Sequence, residues 1–152
     1  MTQYEAIQIF AGFVGCLGFA ILFNIRGSRL LVAGIGGFLS WMAFVLLSHV
    51  IPSDAINYFL VAMLISFYAE IMARVLKTPT TTFITTSLIP LIPGGSLYYT
   101  MAYAFGGQVE EFVGKGVYTL QLASALALGI ILATTLARGV SHVRELVKKN
   151  RG

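Results

Sequence analysis

Charge is what this chain has least of. Only 11% of its 152 residues are Asp, Glu, Lys or Arg, about half the usual share. Residues 78–105 carry no charge at all. With 57% hydrophobic residues, a soluble domain of this length could not hide its apolar surface. An all-α integral membrane protein is therefore expected, resident in a lipid bilayer. Its single cysteine, Cys16, lies in an apolar run and excludes an internal disulfide. The two histidines, His49 and His142, stand far apart. No Ser/His/Asp, metal-ligand or phosphate-loop spacing occurs, so no enzyme, metal or cofactor is expected. The net charge of +4 does not indicate nucleic acid, because the basic residues sit at span ends and in a C-terminal tail.

What is present is a series of apolar segments near the length that crosses a bilayer. One transmembrane domain, 1–152, is expected, with spans of about 4–23, 30–50, 55–76, 79–105 and 117–137. A polar loop is expected at 106–116 and a basic tail at 138–152. Val140, Val143 and Val147 would give that tail an apolar stripe. The first eight residues hold Glu5 and no Lys or Arg, unlike a signal peptide. Small residues mark packing faces: Ala11, Gly12, Gly15 and Gly18 in the first span; Ala33, Gly34, Gly36, Gly37 and Ser40 in the second; Ala125, Gly129 and Ala133 in the fifth. Ser53 or Asp54 is the expected N-cap of the third span.

The fourth span cannot be one helix. Pro90 has no N–H for the carbonyl of Thr86, and Pro93 has none for that of Ile89. Gly94 and Gly95 follow, then Ser96, a good N-cap for a second half-helix. A break at Pro90–Gly95 is tolerated in lipid only where protein or a polar cavity surrounds it, and paired half-helices at mid-depth are a recurring transporter site. N–H groups near Gly95 would suit a carboxylate. The freed carbonyls of Thr86 and Ile89 would suit an ammonium. The expected substrate contacts are Thr86, Pro90, Pro93, Gly94, Gly95, Ser96 and Tyr99. Glu70 is the one carboxylate at depth and shares a helix face with Arg74. The pair reads as a surface ion pair or as a proton-coupling site. His49, near a span end, reads as structural or solvated, with a proton relay as the less favoured alternative.

Five spans place Arg26, Arg29, Arg74, Lys77 and the tail residues Arg138, Arg144, Lys148, Lys149 and Arg151 on one side. Only Lys115 falls on the other. Basic flanks stay cytoplasmic, so the N-terminus is expected outside and the C-terminus in the cytoplasm. A central segment that re-entered without crossing would violate that bias.

These features together resemble the small subunit of the bacterial threonine/serine exporter family. The matching residues are Phe23-Asn24 with the basic loop and Gly-rich helix after it, Arg74-Val75-Leu76-Lys77-Thr78-Pro79, and above all 89–99, Ile-Pro-Leu-Ile-Pro-Gly-Gly-Ser-Leu-Tyr-Tyr. The likeness covers most of the chain. It implies a secondary exporter of small carboxylate-bearing metabolites, such as threonine and serine, in the bacterial inner membrane. Similarity to the split form implies a larger membrane subunit as partner; a higher oligomer is compatible with it. Some split members are associated with dicarboxylates such as succinate, and the resemblance does not choose between substrates. A scaffold that only stabilises a partner would need the same packing faces. A small multidrug exporter would need a carboxylate inside the first span, where Glu5 is at the edge.

Overall fold

The computed structural model describes the backbone of residues 2–149 and the side chains through residue 139. Every regular element in that range is helical. α1 is Gln3–Leu22, α2 Ser28–Ser48, α3 Asp54–Val75, α4 Thr80–Ser87, α5 Gly94–Phe105 and α6 Val109–Lys149. A 3₁₀ turn, Ile89–Leu91, separates α4 from α5. Among the described residues, four helices are long and apolar enough to cross a membrane: α1, α2, α3 and α6 over Val109–Gly139. The chain is a multi-pass membrane protein.

Local chemistry sets the ends. Thr2 and Glu5 form a capping box at the start of α1, with the Glu5 carboxylate accepting from the Thr2 N–H at 2.8 Å. The chain leaves α1 through Asn24 and α3 through Lys77, both in the left-handed region at φ 58 and 49. Pro79 then stands at the N-cap of α4. Ser53 occupies the N-cap of α3 without a capping hydrogen bond; the neighbouring Asp54 carboxylate instead accepts from the Tyr118 hydroxyl.

Small residues set the helix contacts, because between helices in lipid close van der Waals approach replaces the hydrophobic drive. All five expected small positions of α2 are buried. A Cβ at Gly34 would lie 2.7 Å from Leu17 Cδ2 of α1, and one at Gly37 would collide with Cys16. Gly129 of α6 does the same for α3, where a Cβ would meet that of Ala62 at 2.9 Å. Gly129 and Ala133 are buried and Ala125 half-buried, as their spacing predicts. The expected face of α1 is used only at its edge. Ile9, Cys16 and Ala20 carry the buried side, whereas Ala11, Gly15 and Gly18 are exposed.

α4 and the 3₁₀ turn each bury one face in the bundle. Phe83 packs among Ala20, Ala33, Ala69 and Ala73. Leu88 and Leu91 pack among Tyr58, Val61, Ile65 and Leu122. α5 leaves that core and leans on α6, with Thr100 its one buried residue. α3 and α6 run parallel: Asp54 at the start of α3 meets Tyr118, and Arg74 at its end reaches the carbonyl of Ala137 at 3.2 Å. The α4–α5 segment therefore carries the chain back from one end of the bundle to the other.

Two expectations need correction. The loop expected at 106–116 is helical from Val109: Gly107, at φ 69, makes the turn, and Glu110 and Glu111 suit the first turn of a helix. The span expected at 117–137 is thus the middle of a longer α6. Arg138 is exposed. The side chains of Val140, Val143, Arg144, Val147, Lys148, Lys149 and Arg151 lie outside the described residues.

Candidate functional site

The break between α4 and α5 is built by Pro90 and Pro93. The Thr86 carbonyl, which Pro90 cannot serve, accepts from the Cys16 thiol at 3.1 Å. The Ile89 carbonyl, which Pro93 cannot serve, accepts from the Ile92 N–H at 3.1 Å. Both freed carbonyls are thus taken within the chain, and Thr86 is fully buried. Each freed carbonyl keeps one donor inside the chain. Burial explains why: an unpaired carbonyl at that depth is costly, so the fold supplies donors.

The other half of the expected site is open. α5 begins at Gly94, with Pro93 rather than Ser96 at the N-cap. Leu97 donates to the Pro93 carbonyl at 2.9 Å and Gly94 to that of Ile92 at 2.6 Å. Among the described residues, the N–H groups of Gly95 and Ser96 have no backbone acceptor, as the first turn of a helix dictates. Gly94 and Gly95 are exposed, and a Cβ on either would meet nothing within 4 Å. Tyr99 is also exposed, its ring 5.5 Å from that of Tyr98.

Ser96 is not the N-cap expected of it. Its hydroxyl lies 2.8 Å from that of Thr119, which also lies 3.2 Å from the Thr100 hydroxyl. These contacts fasten α5 to α6, a partner that local sequence cannot reveal. Pro90, half-buried, rests beside Gly12 of α1, where a Cβ would lie 3.6 Å from the proline ring. The predicted residues therefore share one break but face two ways: Thr86 into the core, and Gly94, Gly95 and Tyr99 outward.

Glu70 and Arg74 are not joined to each other among the described residues. Glu70 is buried and accepts from the Thr80 hydroxyl at 2.8 Å. Thr80 is the first residue of α4, so this carboxylate faces the positive end of a helix dipole. Arg74 donates to Ala137. His49 lies 3.1 Å from Glu5 and ties the end of α2 to the start of α1. No group of three His, Cys, Asp or Glu suited to a metal exists among the described residues.

A family model described as Threonine/Serine exporter, ThrE, matches residues 8–136. The chain belongs to the threonine/serine exporter family. No curated protein and no solved structure gives a match. The matched range runs from the second turn of α1 nearly to the last described side chains of α6 and contains the whole break. The chain is thus a membrane component of the threonine/serine exporter kind.

One feature of this exporter chain was missed by sequence reasoning. A recess of about 250 Å³ is lined by Phe23, Ile25, Thr81, Thr82 and Thr85. Its signal was the threonine run of α4, TTTFITTS, an unusual density of hydroxyls in an otherwise apolar segment.

Proposed function

We propose that this chain is one subunit of a secondary exporter of threonine/serine-type amino acids. It works with a larger membrane subunit in the bacterial inner membrane. Its own part is transport, not catalysis. The observation that carries the reading is the open start of α5, where two backbone N–H groups at a positive dipole end lack a backbone acceptor, among the described residues, beside two exposed glycines. Such an end suits one carboxylate. Pro93, Gly94, Gly95 and Ser96 supply the backbone of that contact, with Tyr99 at its flank, and Pro90 and Thr86 hold the break in place.

The α4–α5 segment is the fourth of five crossings. The parallel course of α3 and α6 supports this, as does the nine-to-one division of basic residues. The same division puts the N-terminus outside and the C-terminus in the cytoplasm. Exposed backbone donors at mid-depth support a partner, since each such group left in lipid costs several kcal/mol by rough estimate. No Lys or Arg lies within 88–105, which favours a zwitterion over a dicarboxylate.

Reconstitution tests the reading. Liposomes holding this chain alone, the larger subunit alone, or both are loaded with labelled L-threonine or succinate. L-Threonine should leave only where both chains are present. Flux from this chain alone would remove the partner, and flux of succinate alone would replace the substrate.

A further inference from the structure

Hydroxyls at membrane depth normally close on their own helix. Among the described residues this chain follows that habit at four threonines. Thr86, Thr100, Thr119 and Thr134 each donate to the carbonyl four residues back, at 2.9, 2.9, 2.8 and 2.8 Å. Thr81, Thr82 and Thr85 do not. Among the described residues their side chains form no hydrogen bond, and all three line the recess whose far wall is Phe23 and Ile25. Thr81 and Thr85 lie one turn apart and are exposed. They sit on the side of α4 away from Phe83, whose ring is buried in the core.

The recess stands at the basic end of the bundle, where the α1–α2 turn carries Arg26 and the first turn of α2 carries Arg29. Arg26 is engaged with the Asn24 side chain at 2.9 Å, and among the described residues no charged side chain lines the recess itself. Three hydroxyls can each donate and accept. They match a ligand that carries donors and acceptors but no net charge. A dianion would find no counter-charge among the described residues that line it. At 1.5 Å per residue, Thr85 is roughly 7 Å along the segment from Pro90, so a ligand held here is close to the break without touching it.

We propose that Thr81, Thr82 and Thr85 form a second binding site, a hydroxyl-lined holding site for a small zwitterion on the basic side of the break. It rests on the transport reading above, but it is tested by occupancy rather than flux. The probe is Thr85→Cys in the full chain, made with its partner subunit and placed in inverted membrane vesicles. The native Cys16 is fully buried, so the unsubstituted chain gives the background for a charged thiol reagent. The reagent should label Thr85→Cys, and L-threonine should slow that labelling while succinate does not. Adding Thr81→Val and Thr82→Val should raise the half-protecting L-threonine concentration, by roughly fivefold to tenfold for each hydroxyl removed. Labelling that L-threonine leaves unchanged, equal protection by succinate, or protection unaltered by the valine changes would overturn the site. Protection without flux in the reconstituted pair would keep the site and reject the transport reading.

Discussion

Ser87 of α4 fills the notch that Gly36 leaves in α2: a Cβ at 36 would occupy the place of the Ser87 hydroxyl and stand 2.6 Å from its Cβ. Both residues are buried, and the half-helix is held inside the bundle at this contact. Gly36→Ala should therefore destabilise the fold by about 1–3 kcal/mol through overpacking. Ser87→Gly in the same chain should recover much of that loss, because it removes both clashing atoms. Melting temperatures in detergent of the two single variants and the double check this. A double variant no more stable than Gly36→Ala would mean that α4 does not sit against α2 in this way.

Glu70 and Thr80 define the start of α4. If the carboxylate serves chiefly to hold that end, Glu70→Gln should keep the fold and the efflux rate within about twofold, since an amide still accepts from Thr80. Glu70→Ala should lose about 1.5–3 kcal/mol, the usual worth of a hydrogen bond to a charged group. Stability and efflux measured together separate the roles. Normal stability with efflux abolished in Glu70→Gln would assign Glu70 to proton coupling.

The direction of the chain is tested with reporters. A reporter active only in the cytoplasm should work when fused after Gly152 and fail when inserted beside Gln108, in the turn between α5 and α6. Activity at both positions would mean that α4 and α5 together do not cross. Reversed activities would invert the whole arrangement.

What could be read beforehand followed the range of the forces involved. The break was legible because a proline acts on its own carbonyl four residues back, whatever surrounds it. The packing of Gly34, Gly37 and Gly129 was legible because only small residues admit close backbones. Spacing alone does not say which partner a small face meets, so Gly15 and Gly18 look outward against expectation. Glu70 and Arg74 share a face by spacing, yet a residue ten positions on, Thr80, takes the carboxylate. Ser96 was assigned to its own helix start and instead serves Thr119 of another helix. Contacts across the fold decided each of these.

The break itself offers the most direct test. Pro93→Ala, Gly94→Ala and Gly95→Ala together favour a continuous helix. Proline to alanine removes an interior penalty of about 3 kcal/mol, and each glycine to alanine recovers roughly 1 kcal/mol. A Cβ at 94 or 95 meets nothing within 4 Å, so the added methyls do not clash and the chain should fold and insert. Pro90 stays in place, so the Thr86–Cys16 contact is undisturbed. What changes is the start of α5. An alanine at 93 regains an N–H for the Ile89 carbonyl, the ladder closes across 93–96, and the donors at Gly95 and Ser96 turn to carbonyls one turn back. A substrate carboxylate then has no free donor to meet. Partner binding and thermal stability should be retained or raised while L-threonine efflux falls at least tenfold, equivalent to about 1.4 kcal/mol of binding or more. Full efflux from a well-assembled triple variant would show that the start of α5 does not touch substrate, and the substrate would have to be held at the α4 threonines or in the partner subunit.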